Sequence, residues 1–178
     1  RTPMQKADQA KTSDGVGQPL ELSGVTAKGD KFKLEPYKGK VVLVFFWATW
    51  CPDCMAAMPG IKALYQKHKA EGFEIVGVDL DPQVSDLLPY IEKEKIGWTN
   101  IVGEGKEGSL EFPMAVKYYV TGTPSSLLVG TDGKILARNL EGEALAKKIE
   151  ELLKDRSAAE KPVETKPTDT KPAEEQSK

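Results

Sequence analysis

Cys51 and Cys54 are the two cysteines of the chain, set three residues apart in Trp50-Cys51-Pro52-Asp53-Cys54. Thiols at this spacing can close a small disulfide ring and open it again. A thiolate at Cys51 can attack a substrate disulfide and form a mixed disulfide. Cys54 can then attack Cys51 and release the reduced substrate. Run backward, the same steps oxidise a dithiol. The chemistry asks for no cofactor beyond the redox-active Cys51–Cys54 disulfide, and no metal is expected. With a single histidine in the chain, a zinc site of cysteine and histidine alone lacks its roughly four ligands. Half a metal site would need a dimer or carboxylates. A structural disulfide is a further reading, but so small a ring constrains little of the unfolded chain. Two idle thiols are the third.

Exchange needs a thiolate, so the elements around the pair matter. Val41 to Trp47 (VVLVFFW) is a continuous apolar, largely β-branched and aromatic run. It reads as a strand covered on both faces. A helix is expected from Cys51 to about Lys69, with Ile61, Leu64 and Tyr65 inward and Pro59 inside it. The pair therefore sits where a buried strand ends and a helix begins. A helix N-terminus presents unpaired N–H groups and the positive end of the dipole, which favour a thiolate. Pro52 suits the first helical turn. Asp53 suits it too, but its charge opposes a neighbouring thiolate. Cys51 is expected to be less acidified than in the strongest oxidants.

The remaining pattern supplies the frame. Leu20-Glu21-Leu22 and Phe32-Lys33-Leu34 alternate around Ala27 to Lys31 and predict an N-terminal β-hairpin. Phe73 to Asp79 is a second strand, and Val84, Leu87, Leu88 and Ile91 follow helical spacing. A short strand over Trp98 to Val102, a Gly- and charge-rich loop from Gly103 to Gly108 and a short helix from Pro113 to Tyr118 follow. Ser126 to Val129 and Ile135 to Arg138 flank Thr131-Asp132-Gly133-Lys134, a hairpin signal. Leu145, Ile149, Leu152 and Leu153 mark a last helix. One βαβ unit with terminal hairpins predicts an α/β fold, a central mixed sheet flanked by helices. Gly122-Thr123-Pro124-Ser125 leads into a strand, where an X-Pro bond is either cis or an ordinary trans turn.

Composition bounds the rest. Charged residues make up 29% of the 178, and the net charge is −2. This speaks against an electrostatic nucleic-acid binder. No apolar run approaches the roughly 20 residues of a membrane span. Residues 1–15 are polar and read as a flexible linker, and residues 16–154 as the domain. Residues 155–178 read as a disordered tail in which Lys161-Pro162, Lys166-Pro167 and Lys171-Pro172 recur every five residues. The first residue is Arg1, which suggests removal of an upstream part. His68 is expected at the surface or its boundary, and Trp47 and Met58 in the core.

The sequence resembles the thioredoxin-like thiol–disulfide oxidoreductases of the TlpA/ResA group. The resemblance rests on Lys38 to Val44, Phe46 to Cys54, Met58-Pro59, Glu74 to Val78, Tyr119 to Pro124 and Asp132 to Ile135. It implies a thioredoxin-like fold with an added N-terminal hairpin. It implies that Cys51 and Cys54 are catalytic and that Thr123-Pro124 is a cis bond facing them. Thr123 would offer backbone hydrogen bonds to an extended substrate, and Trp50 would shape the surface beside Cys51. It also implies protein disulfide or dithiol substrates, an external donor or acceptor protein and an extracytoplasmic bacterial setting, with an upstream anchor possible. A monomer is expected.

Two positions depart from the pattern. Many members carry a glutamate three residues after the second cysteine, where Ala57 stands. Thioredoxins carry a buried acid on the central strand, where Phe45 stands. Cys54 would thus lack a nearby base, and slower resolution or a proton route through Asp79 or Asp81 is expected. The departures keep a second reading open, a non-catalytic thioredoxin-fold binding module of a larger anchored protein. A peroxide-reducing relative is a weaker third, because Thr49 stands only two residues before Cys51 and not three.

Overall fold

The computed structural model describes residues 15–103 and 112–159. The strands are β1 (Val25–Thr26), β2 (Val41–Trp47), β3 (Phe73–Asp79), β4 (Thr99–Val102), β5 (Ser125–Val129) and β6 (Ile135–Arg138). The helices are α1 (Pro52–His68), α2 (Val84–Glu94), α3 (Pro113–Lys117) and α4 (Gly142–Ala159). The strands form one sheet in the order β1-β4-β3-β2-β5-β6. β2, β3 and β4 run parallel. β1, β5 and β6 pair antiparallel with their neighbours. The sheet is mixed, as predicted, but carries two βαβ units, because β4 joins β3 in parallel after α2.

β2 lies at the centre, and all seven of its residues are buried. An unbroken apolar strand fits only there, between neighbours and under helices on both faces. α1 buries Cys54, Met58 and Ile61, and α4 buries Leu145, Ile149 and Leu153 at helical spacing. Each turn of apolar side chain removed from water is the main favourable term holding these layers.

Three expectations change. The predicted hairpin does not form between residues 20–22 and 32–34. Its turn is present, but it closes through a single bridge from Val25 to Lys31 and a bond from Phe32 N–H to the Gly24 carbonyl of 2.9 Å. Residues 17–20 pair instead with the β5–β6 turn, Gly17 N–H to Ile135 O and Leu20 N–H to Gly133 O, both 2.8 Å. The alternation of Leu20, Leu22 and Phe32 reflects burial against the core and not mutual pairing. The last helix runs to Ala159, past the boundary placed at 154. Arg156 explains this: its Nε donates to the Gly39 carbonyl at 3.0 Å and its Nη1 to the Glu71 carbonyl at 2.7 Å. Those bonds anchor a turn that has little apolar content of its own. The part of the predicted tail from residue 160, the linker 1–14 and most of the Gly-rich loop lie outside the described residues. His68 is buried at 3% exposure, with its ring 3.1 Å from Glu71, because α4 covers it.

Gly77 in β3 faces a buried bond between Trp47 Nε1–H and Asn100 Oδ1 of 3.1 Å. A methyl at residue 77 would collide with Asn100 Oδ1. Gly77→Ala should therefore cost about 3 kcal/mol, combining overpacking with a broken buried hydrogen bond. Urea denaturation reads this directly, and an unchanged midpoint would show that the core yields here.

Candidate active site

The pair sits where the sequence places it. β2 ends at Trp47, and Cys51 is the N-cap of α1 with extended backbone at φ −89° and ψ 109°. Pro52 fills the first helical position, where its missing N–H costs nothing. Cys51 and Cys54 form a disulfide with Cα atoms 5.2 Å apart. Cys51 Sγ accepts the Cys54 N–H at 3.2 Å, so the sulfur takes the capping role a hydroxyl usually fills. Cys51 is 3% exposed and Cys54 0%. Cys51 is thus the slightly less buried residue of the pair. Trp50, one residue earlier, is 60% exposed. Asp53 is exposed in the first turn of α1.

The Thr123–Pro124 peptide bond is cis. Register brings it to the same sheet edge as the cysteines: β5 pairs Ser125 with Phe46, so Pro124 lies level with the end of β2. Asp53 and Pro124 line one groove of about 710 Å³. Phe45 and Ala57 line it too, so the two positions that lack an acid face the same apolar space. The far wall is Asn139 to Gly142 with Leu145; of these the sequence pattern marks Leu145 alone, on the apolar face of the last helix. One signal was available. Asn139 has φ 50° and its Oδ1 accepts the Ser126 N–H at 2.9 Å, and Asn is a residue that tolerates the left-handed region.

On the other side of the turn lie Asp79 and Asp81, both buried. Asp81 accepts the Thr49 N–H at 2.9 Å and the Thr49 hydroxyl at 2.8 Å. Burial, then the hydrogen bond and charge of Asp81, push Asp79 up from 3.8 to about 9. Asp79 is therefore a neutral acid near pH 7 and does not act there as a base. Among the described residues no group of three or more His, Cys, Asp or Glu side chains could hold a metal ion.

This arrangement can run thiol–disulfide exchange, and related proteins agree. The model of the AhpC/TSA family matches residues 16–138. The thiol-disulfide oxidoreductase ResA of Bacillus thuringiensis subspecies konkukian is 34% identical over 127 residues, 71% of this chain and 69% of the relative. The thioredoxin domain of a thiol-disulfide oxidoreductase from Bacteroides vulgatus superposes with a TM-score of 0.67 at 30% identity. That match covers 78% of this chain and 97% of the other. A thiol-disulfide oxidoreductase from Bacteroides fragilis gives 0.68 at 29% identity, over 75% and 98%.

Asp79 gives the site a pH signature. Folded, its carboxyl keeps its proton to about pH 9, whereas the unfolded chain releases it near 3.8. The stability it contributes is complete below about pH 4 and is lost as pH rises toward 9. Asp79→Asn stays neutral throughout. It should stabilise the oxidised protein at pH 8 by on the order of 2 kcal/mol and flatten the decline of the urea midpoint between about pH 5 and 9. Parallel pH profiles for variant and wild type would contradict this.

Proposed function

We infer that this chain, which belongs to the AhpC/TSA family and is a thiol–disulfide oxidoreductase of the ResA type, works as a reductase of protein disulfides. The observation that carries the direction is Asp53 in the first turn of α1, beside Cys51. Strong oxidants of this class stabilise their reduced form by stabilising the thiolate. The helix N-terminus does so here, and the Asp53 carboxylate works against it. A less stabilised thiolate favours the disulfide in this protein and hence reduction of the partner.

Cys51, the slightly less buried residue, supplies the attacking sulfur, and fully buried Cys54 resolves the mixed disulfide. Thr123 offers its backbone to an extended substrate by strand addition, with cis-Pro124 beside it. Exposed Trp50 meets the partner. These 178 residues hold no third cysteine, so electrons reach the pair from a donor outside them. The reaction takes place outside the cytoplasm of a bacterium, where substrate disulfides persist. Among the described residues no helix is long and apolar enough to cross a membrane. The Thr49 hydroxyl donates its hydrogen bond to Asp81 at 2.8 Å, which does not favour a peroxide-reducing reading.

Equilibrated with glutathione or dithiothreitol buffers, the pair should titrate nearer to about −270 mV than to about −120 mV. A value close to the latter reverses the direction. Cys54→Ala should trap a mixed disulfide through Cys51, and Cys51→Ala should trap none. Resolution by Cys54 proceeds without an acid at residue 45 or 57. In protein that keeps both cysteines, Ala57→Glu should therefore speed release of the partner from the mixed disulfide about tenfold near neutral pH in stopped-flow experiments. No acceleration at any pH would sink that account.

A further inference from the structure

The three residues between β2 and Cys51, Ala48-Thr49-Trp50, decide where the attacking sulfur stands. Their backbone is tied down at either end. Leu80 N–H donates to the Trp47 carbonyl at 2.9 Å, and Cys51 N–H to the Ala48 carbonyl at 3.2 Å. The middle is held by a side chain. The Asp81 carboxylate takes the Thr49 N–H on both oxygens, at 2.9 and 3.2 Å, and the Thr49 hydroxyl at 2.8 Å. One threonine thus supplies a main-chain and a side-chain donor to one buried carboxylate. Asp81 is 5% exposed, and a carboxylate so placed is costly unless hydrogen-bonded.

A second buried acid stands behind the first. Asp79 Oδ1 accepts the Asp81 N–H at 3.3 Å, and its Oδ2 has no hydrogen-bond partner. Burial and the neighbouring Asp81 keep Asp79 protonated, and Asp86 of α2 is the other charged group that acts on it. A neutral Asp79 can face Asp81 without repelling it, which leaves the Asp81 oxygens directed at Thr49.

We propose that Asp81 is a positioning residue for Cys51: by gripping both the N–H and the hydroxyl of Thr49, it fixes the turn that presents Trp50 and Cys51 to the substrate. The gain is orientation. A nucleophile held in place reacts faster than one on a loose turn, and small misplacements are costly. Asp81 touches neither sulfur in this role; it acts through Thr49. The proposal rests on the reading of Cys51 as the attacking sulfur.

The test uses reduced protein carrying Cys54→Ala, so that each capture event is a single step at Cys51. Insulin supplies a protein disulfide, and dithiobisnitrobenzoate a small one that needs no docking. Thr49→Val keeps the N–H and loses the hydroxyl, whereas Thr49→Ser keeps both. Thr49→Val should capture insulin roughly tenfold more slowly than the parent and the small disulfide roughly threefold more slowly. Thr49→Ser should restore both rates, and Asp81→Asn should be at least as slow as Thr49→Val. Equal rates for Thr49→Val and Thr49→Ser with both disulfides would overturn the positioning role. Equal slowing by Thr49→Val with both disulfides would also overturn it, since that marks a general loss of structure. If Asp81→Asn does not fold, the Thr49 pair decides alone. Whether the parent captures insulin at all tests the reductase reading separately, and the small disulfide still reports on Thr49.

Discussion

The structure depends on the complete burial of β2. Seven consecutive residues with no face to solvent can lie only in the middle of a covered sheet. That places β3 and β5 on its flanks and requires a helix connection on the parallel side. It also sets where the chain leaves the sheet, at Trp47. The turn that follows brings Cys51 to the start of α1, where unpaired N–H groups meet the sulfur. The position of the redox pair is thus a consequence of the strand beneath it.

The electrostatics around the pair are divided by side. Toward the groove the lining is apolar at Phe45 and Ala57, and the charges are carried by Asp53 and Glu141. Toward β3 two buried acids share a small space, one neutral and the other hydrogen-bonded to Thr49. The acids of this site therefore serve the framework of the turn more directly than the sulfur chemistry. Burial accounts for both halves, since it favours apolar groups outright and carboxyls only when they are protonated or hydrogen-bonded.

The central elements were legible because local pattern and tertiary environment agree. β2, β3, α1 and the β5–β6 hairpin have periods or turn residues that allow one structure. The C-x-x-C box at a strand–helix junction carried the chemistry. The N-terminal region was misread because alternation records burial and not the identity of the pairing partner. Leu20 and Leu22 are buried, but their segment bonds to the turn near Gly133, more than a hundred residues away in the chain. His68 was misread because its cover comes from α4, and nothing beside it in sequence indicates that. The end of α4 was misread because Arg156 bonds to carbonyls of Gly39 and Glu71.

The sequence by itself determined the buried strand, the redox pair and its helix N-terminus, since these follow from residues close together in the chain. The tertiary structure decided the rest: the wall from Asn139 to Gly142, and the grip of Asp81 on Thr49 across 32 positions. It also decided the proton on Asp79. Hydrogen bonds act over about 3 Å, and desolvation depends on everything packed around a group. Neither distance nor cover across the chain is written in local spacing.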